Sequence, residues 1–177
     1  VPNSDLFQKL EGKSRPHFFF GVTQIVSKLF NVIKPTHAFF GEKDAQQLII
    51  IKEIISKMNY NITLVSCPTV RDKNGLALSS RNKYLSISEQ KEAAYFYTCL
   101  LKVGTEIHNG ELNSILLKNQ FEKNLSINSK FTLDYISIAC KKTLIEIDYV
   151  DGTVLVSSAV FFNDVRLIDN FSYQSST

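Results

Sequence analysis

The 177 residues carry 20 Lys and Arg against 17 Asp and Glu, a formal net charge of +3, with 44% hydrophobic and 21% charged residues. Such a balance excludes a disordered chain, and the scatter of basic residues leaves no electrostatic footprint for nucleic acid or an acidic membrane. Three separated cysteines, Cys67, Cys99 and Cys140, fit no disulfide framework or zinc spacing and point to reduced thiols in a cytoplasmic protein. The chain opens on Val1-Pro2-Asn3-Ser4 rather than Met, and reads as the later part of a longer protein. Apolar residues Val22, Ile25, Val26, Leu29, Phe30 and Ile33 recur at three- and four-residue steps, predicting a helix with one buried face that ends at Pro35. His37–Phe40 reads as a short buried strand in which His37 packs, and Gly41-Glu42-Lys43-Asp44 as a tight loop. A second helix is expected from about Asp44 to Met58, with Leu48, Ile51, Ile54, Ile55 and Met58 inward, and then a strand at Ile62–Val65. This alternation is the rhythm of a parallel α/β sheet, whose ligands bind beyond the carboxyl ends of the strands.

Beyond Asn82 the pattern changes. Ser86 and Glu89 form an expected capping box opening one helix that runs to Asn109-Gly110, and a further helix covers about Glu111 to Lys123. Phe131–Ile138, Thr143–Val150, Val154–Phe162 and Val165–Ile168 read as strands, with a turn at Asp151-Gly152. We therefore expect two domains. Residues 1–71 form an α/β domain, and 72–177 a smaller α+β domain that begins with the loop 72–82.

Two loops hold the residue types that chemistry on a phosphate needs. Lys43 stands at a strand-to-helix junction, where first-turn amides attract anions, although Asp44 with Gln47 equally suits an ordinary N-cap. Leu78-Ser79-Ser80-Arg81 follows the flexible Lys73-Asn74-Gly75, so two hydroxyls and a forked guanidinium could surround phosphate oxygens, or the segment could be a polar linker. Placed on successive strand ends, the two loops would suit a triphosphate whose pyrophosphate must leave.

Phe40-Gly41-Glu42-Lys43-Asp44 with Gln46-Gln47, and Asp72-Lys73-Asn74-Gly75-Leu76-Ala77-Leu78-Ser79-Ser80-Arg81-Asn82 with Tyr84-Leu85, resemble signatures of the pantothenate synthetase (pantoate–β-alanine ligase) family. So do Leu10-Glu11-Gly12, Arg15-Pro16 and Gly21-Val22 near the start, and Arg166-Leu167-Ile168-Asp169-Asn170 near the end. The resemblance implies a Rossmann-like nucleotidyltransferase sheet of the HIGH superfamily, with residues 1–71 the later part of its nucleotide-binding domain, and a homodimeric enzyme. The implied reaction joins pantoate to β-alanine through a pantoyl adenylate, using ATP with Mg²⁺.

It further implies that Gly41, Glu42, Lys43 and Asp44 line the ATP site, with Lys43 on the phosphates. Gln47 would bind pantoate, and Val70 would meet the adenine through its backbone. Leu78, Ser79, Ser80 and Arg81 would form the mobile phosphate loop, and Arg15 would lie near the site entrance. Lys43, Ser79, Ser80 and Arg81 are thus the expected catalytic residues, and no residue is assigned to a metal. The family's His-x-Gly-His segment is absent from this sequence, so the chain by itself is expected to be weak or inactive. The family's Gly-His pair after Arg-Pro is replaced by His17-Phe18. Competing expectations are a related adenylyltransferase with another acceptor and a non-catalytic fragment or dimerisation module.

Overall fold

The computed structural model describes residues 5–175, and the chain divides into two compact units, the first ending at Pro68 and the second beginning at Thr69. In the first unit a 3-10 turn at Asp5–Gln8 and a short helix α1, Leu10–Ser14, lead into α2, Phe18–Ile33. Two strands, β1 (His37–Gly41) and β2 (Thr63–Cys67), pair in parallel with Gly41 opposite Cys67. Between them, a 3-10 turn at Glu42–Asp44 feeds α3, Ala45–Lys57. Parallel pairing places the carboxyl ends of both strands at one edge of the unit, so the Glu42–Asp44 turn and Pro68 leave from the same end.

The core of this unit joins Phe19 and Phe30 of α2 to Ala38 and to Ile50, Ile51 and Ile54 of α3. Here the expected faces need correction. In α2 the buried positions are Phe19, Thr23, Ser27 and Phe30, while Ile25, Leu29 and Ile33 are exposed. At 100° per residue the apolar positions sweep an arc far wider than one face, and α3 with the two strands covers only its Phe19–Phe30 side. The β1 strand is likewise only partly buried: Phe39 is 67% exposed, and His37 is exposed with its ring nitrogen Nδ1 3.0 Å from Thr36 Oγ1. Met58, expected inward, is exposed just beyond the end of α3.

The second unit is a three-stranded antiparallel sheet with helices on it. Its strands β3 (Phe131–Cys140), β4 (Thr153–Phe162) and β5 (Val165–Gln174) lie in the order β3-β4-β5. Alternate residues Val154, Val156, Val160 and Phe162 of β4 join the core formed with Phe96, Leu100, Val103, Leu117 and Phe121 of the helices. The capping box at Ser86 and Glu89 is present. The helix it opens is not continuous, however: α4 (Ile87–Ala93) gives way at Ala94 to α5 (Tyr95–His108).

The next helix, α6 (Ser114–Leu125), starts three residues later than expected because the Asn113 side chain accepts from the amides of Ile115 and Leu116. The expected strand at Thr143–Val150 does not form. That segment turns through Leu144, at φ +53°, and makes only isolated bridges, Glu146 to Ala139 and Tyr149 to Asn113. Its Leu144 and Val150 are buried, so its apolar residues serve as plugs rather than as a strand face. Conversely, β5 runs six residues past Ile168, because Asp169 to Gln174 keep pairing with β4.

Candidate active site

The sequence-predicted site residues fall on both units. Gly41 ends β1, and Glu42, Lys43 and Asp44 form the 3-10 turn that enters α3. Asp44 makes no side-chain capping bond to α3, so the N-cap expected of Asp44 with Gln47 is not formed. Gln47 lies in the first turn of α3, half-buried, and its side chain makes no hydrogen bond within the described residues.

Its neighbour has the opposite character. Gln46 is buried, its Oε1 accepts from the Glu11 amide at 3.0 Å, and its Nε2 donates to the carbonyls of Leu6 and Lys9, both at 2.7 Å. Gln46 therefore holds the segment before α2 against α3. Sequence reading paired the two glutamines in one motif, and only their 100° separation on the helix distinguishes the structural one from the accessible one.

Arg15 closes the same cluster. Its Nη2 donates to Glu11 Oε2 at 2.8 Å, and its guanidinium carbon sits 4.0 Å from the centre of the Phe18 ring. Glu11 is buried, and Gln46 fixes its backbone, so Arg15 is held indirectly by Gln46. His17 follows at φ +70°, a left-handed conformation. A glycine would adopt it freely, whereas a side chain there costs roughly 1–2 kcal/mol.

In the second unit, residues 70–78 form a small hairpin. The Val70 carbonyl accepts from the Leu78 amide, Arg71 bridges Ala77, and the Asp72 carboxylate accepts from the amides of Asn74 and Leu76. Gly75, at φ +99°, makes the turn, and a Cβ there would stand 3.3 Å from the Tyr97 ring. Leu76 and Ala77 are buried, whereas Val70 and Leu78 are exposed.

The chain then passes to a 3-10 turn, Ser80–Tyr84, capped by Ser79, whose Oγ accepts from the Arg81 amide at 3.2 Å. Ser80 is exposed, and no hydrogen bond or ion pair engages the Arg81 guanidinium among the described residues. Asn82 is buried and donates from Nδ2 to the Ala77 carbonyl, while Gln90 Nε2 donates to the carbonyls of Asn82 and Leu85. Two hydroxyls and an unengaged guanidinium are thus presented on a short turn whose far end is fixed.

One residue the sequence reading passed over stands out. Arg71 makes a forked pair with the buried Asp169 of β5, Nη1 to Oδ2 at 2.6 Å and Nη2 to Oδ1 at 2.9 Å. Nη1 also donates to the Gly75 carbonyl, and the guanidinium carbon lies 3.3 Å from the centre of the Tyr97 ring. Burial works to lower the Arg71 pKa, but Asp169 and Tyr97 together outweigh it, so the group is held above its ordinary value. No sequence spacing could have paired positions 71 and 169.

The chain joins a parallel α/β unit with a lysine turn at a strand end to an antiparallel unit carrying a serine–arginine turn, and its structural matches make this a HIGH-class nucleotidyltransferase fold. The structure matches that of pantothenate synthetase from Thermus thermophilus with a TM-score of 0.90 at 34% identity, covering 96% of this chain and 61% of that one. It also matches pantoate-beta-alanine ligase from Francisella tularensis, described as complexed with beta-gamma ATP and beta-alanine, with a TM-score of 0.66 at 32% identity, covering 97% and 56%. The sequence profile of pantoate-beta-alanine ligase matches residues 1–172, and the chain belongs to that family. It is 41% identical to the pantothenate synthetase of Enterococcus faecalis over 169 residues, 96% of this chain and 60% of that protein. The chain thus spans about 60% of the length of the curated relatives it matches.

Proposed function

We propose that this chain carries part of the active site of an AMP-forming ligase that joins pantoate to β-alanine. Family membership across residues 1–172 is the observation that carries this reading. In the proposed first step, a pantoate carboxylate oxygen attacks the α-phosphorus of ATP and pyrophosphate leaves. In the second, the β-alanine amine attacks the acyl carbon of the adenylate and AMP leaves. Both steps build negative charge on phosphate oxygens, so the protein's task is positioning and charge neutralisation.

Lys43 would neutralise phosphate charge from the β1–α3 turn, and Gln47, with its amide unengaged, would hold pantoate. The Val70 amide is available to the adenine, since the hairpin uses only the Val70 carbonyl. Ser79, Ser80 and Arg81 would grip the departing pyrophosphate. Arg81 suits that task because a planar fork matches two phosphate oxygens at once.

Mg²⁺ would neutralise triphosphate charge and would come with the nucleotide. No group of three His, Cys, Asp or Glu side chains able to cage an ion occurs among the described residues, and this ion commonly relies on phosphate and water ligands. We further propose a homodimer in the cytoplasm, a reducing compartment in keeping with three free cysteines. No helix among the described residues is long and apolar enough to cross a membrane.

The test is AMP release by the protein in its full coding context, with pantoate, β-alanine and MgATP supplied together and then each omitted. AMP that requires all three establishes the ligase, and Arg81→Ala is then expected to lower kcat about 100- to 1,000-fold, the usual cost of removing a donor aimed at developing charge. AMP formed without pantoate would redirect the reading to an adenylyltransferase with another acceptor. No AMP at all would leave a binding or dimerisation module.

A further inference from the structure

The Ser79–Arg81 turn is useful only if it is held in place, and its two ends are held by different means. Downstream, Asn82 is buried and clamped through the Ala77 carbonyl and Gln90. Upstream, the hairpin 70–78 is attached to the sheet and helices through the Arg71 guanidinium, held between Asp169 and Tyr97. That guanidinium uses its fork on Asp169, a further donor on Gly75 of the hairpin tip, and its flat face on the ring. A lysine ammonium could donate to Asp169 and to Gly75, but it has neither the two-nitrogen fork that grips both carboxylate oxygens nor a flat face to lie on the ring.

Stability alone is a weak reason for such a pair, because the desolvation of two buried charges cancels much of their attraction. What the pair does supply is register. It ties the base and the tip of the hairpin to β5 and α5 simultaneously, so that Leu78 and the residues after it leave the hairpin at a fixed point.

We propose that Arg71 is a positioning residue for adenylate formation, locking the hairpin onto β5 and α5 so that Ser79, Ser80 and Arg81 meet the leaving pyrophosphate. The proposal rests on the ligase reading above. Arg71 itself touches no substrate and acts through the turn. Its effect on the chemical step falls on the departure of pyrophosphate, because attack by β-alanine on a finished adenylate no longer involves that group. Through Val70 of the same hairpin it reaches the second half-reaction only as adenylate affinity.

The test separates the two half-reactions in the protein in its full coding context. Arg71→Lys should slow pantoate-dependent exchange of pyrophosphate into ATP about 10- to 100-fold, the scale of a misplacement on the order of 1 Å. Transfer to β-alanine from synthetic pantoyl adenylate supplied at saturation should be unchanged. Asp169→Asn, which keeps the shape and removes the charge, should act in the same direction. Exchange equal to that of the unsubstituted protein would overturn the proposal, as would a fall in both half-reactions that tracks the folded fraction by circular dichroism.

If the unsubstituted protein shows no exchange, the ligase reading has failed separately, and trypsin then decides on the anchor alone. Cleavage after Lys73 or Arg81 that is faster in Arg71→Lys, at an unchanged melting temperature, supports the lock. Cleavage at an equal rate overturns it.

Discussion

Gln46 and Gln47 are adjacent, chemically identical, and should respond in opposite ways to the same substitution. Gln46→Ala removes three hydrogen bonds, one to the Glu11 amide and two to the Leu6 and Lys9 carbonyls. Each such bond contributes about 1 kcal/mol net, and a buried group left unsatisfied costs more. Glu11 is buried but Leu6 and Lys9 are half-buried, so water can reach part of the gap. The expected loss is therefore roughly 2–4 kcal/mol.

Urea unfolding followed by circular dichroism reads this directly as a lower midpoint, and amide exchange should rise first in residues 5–15. Gln47→Ala touches no described partner and should shift stability by less than about 0.5 kcal/mol, while weakening apparent pantoate affinity. A Gln46→Ala protein with an unchanged urea midpoint would refute the assignment of Gln46 as the pin. Equal destabilisation by both substitutions would refute the distinction between them.

Two further predictions concern titratable groups. The Ser86 amide and hydroxyl hold the Glu89 carboxylate below its ordinary value of 4.5, so the contribution of this cap is complete above that pH and is lost as pH falls through the lowered folded-state value. Glu89→Gln should therefore narrow the stability difference between pH 7 and pH 3, as measured by thermal melts at each pH. Among the thiols, hydrogen bonds from the Thr143 side chain and backbone lower the Cys140 pKa, while burial raises that of Cys99. Iodoacetamide at neutral pH, followed by peptide mapping, should modify Cys140 well before Cys99.

The order of elements was readable because each carried its own local signal: spacing of apolar residues in α3, the Ser86–Glu89 box before α4, β-branched runs in β3 and β4. Errors arose where burial depended on what lies opposite. Nothing in Val22–Ile33 marks which part of a wide apolar arc meets α3, so Ile25, Leu29 and Ile33 were placed inside along with Phe30, Val22 and Val26, which do reach the core. Thr143–Val150 has strand-like composition, yet Leu144 and Val150 enter the core from a turn, an outcome decided by tertiary packing rather than propensity.

The site shows the same division. Lys43 and the Ser79–Arg81 turn, the residues proposed for the site, lie in short local motifs that a sequence alone can nominate. Gln46 and Arg71 act through partners 35 to 98 positions away, and no local pattern reveals such a pairing. His17 is an intermediate case: the resemblance leads to an expectation of Gly there, and the left-handed backbone of the structure is one that a glycine would adopt freely.

The uncovered side of α2 has a practical consequence. Ile25, Leu29, Val32 and Ile33 present a continuous greasy strip to water, with Val32 83% exposed. The attraction between such strips strengthens on warming from the cold and in the presence of sulfate. Preparations of this chain should therefore keep best dilute, chilled and in low salt, and ammonium sulfate, the habitual choice for concentrating a protein, is the additive to avoid.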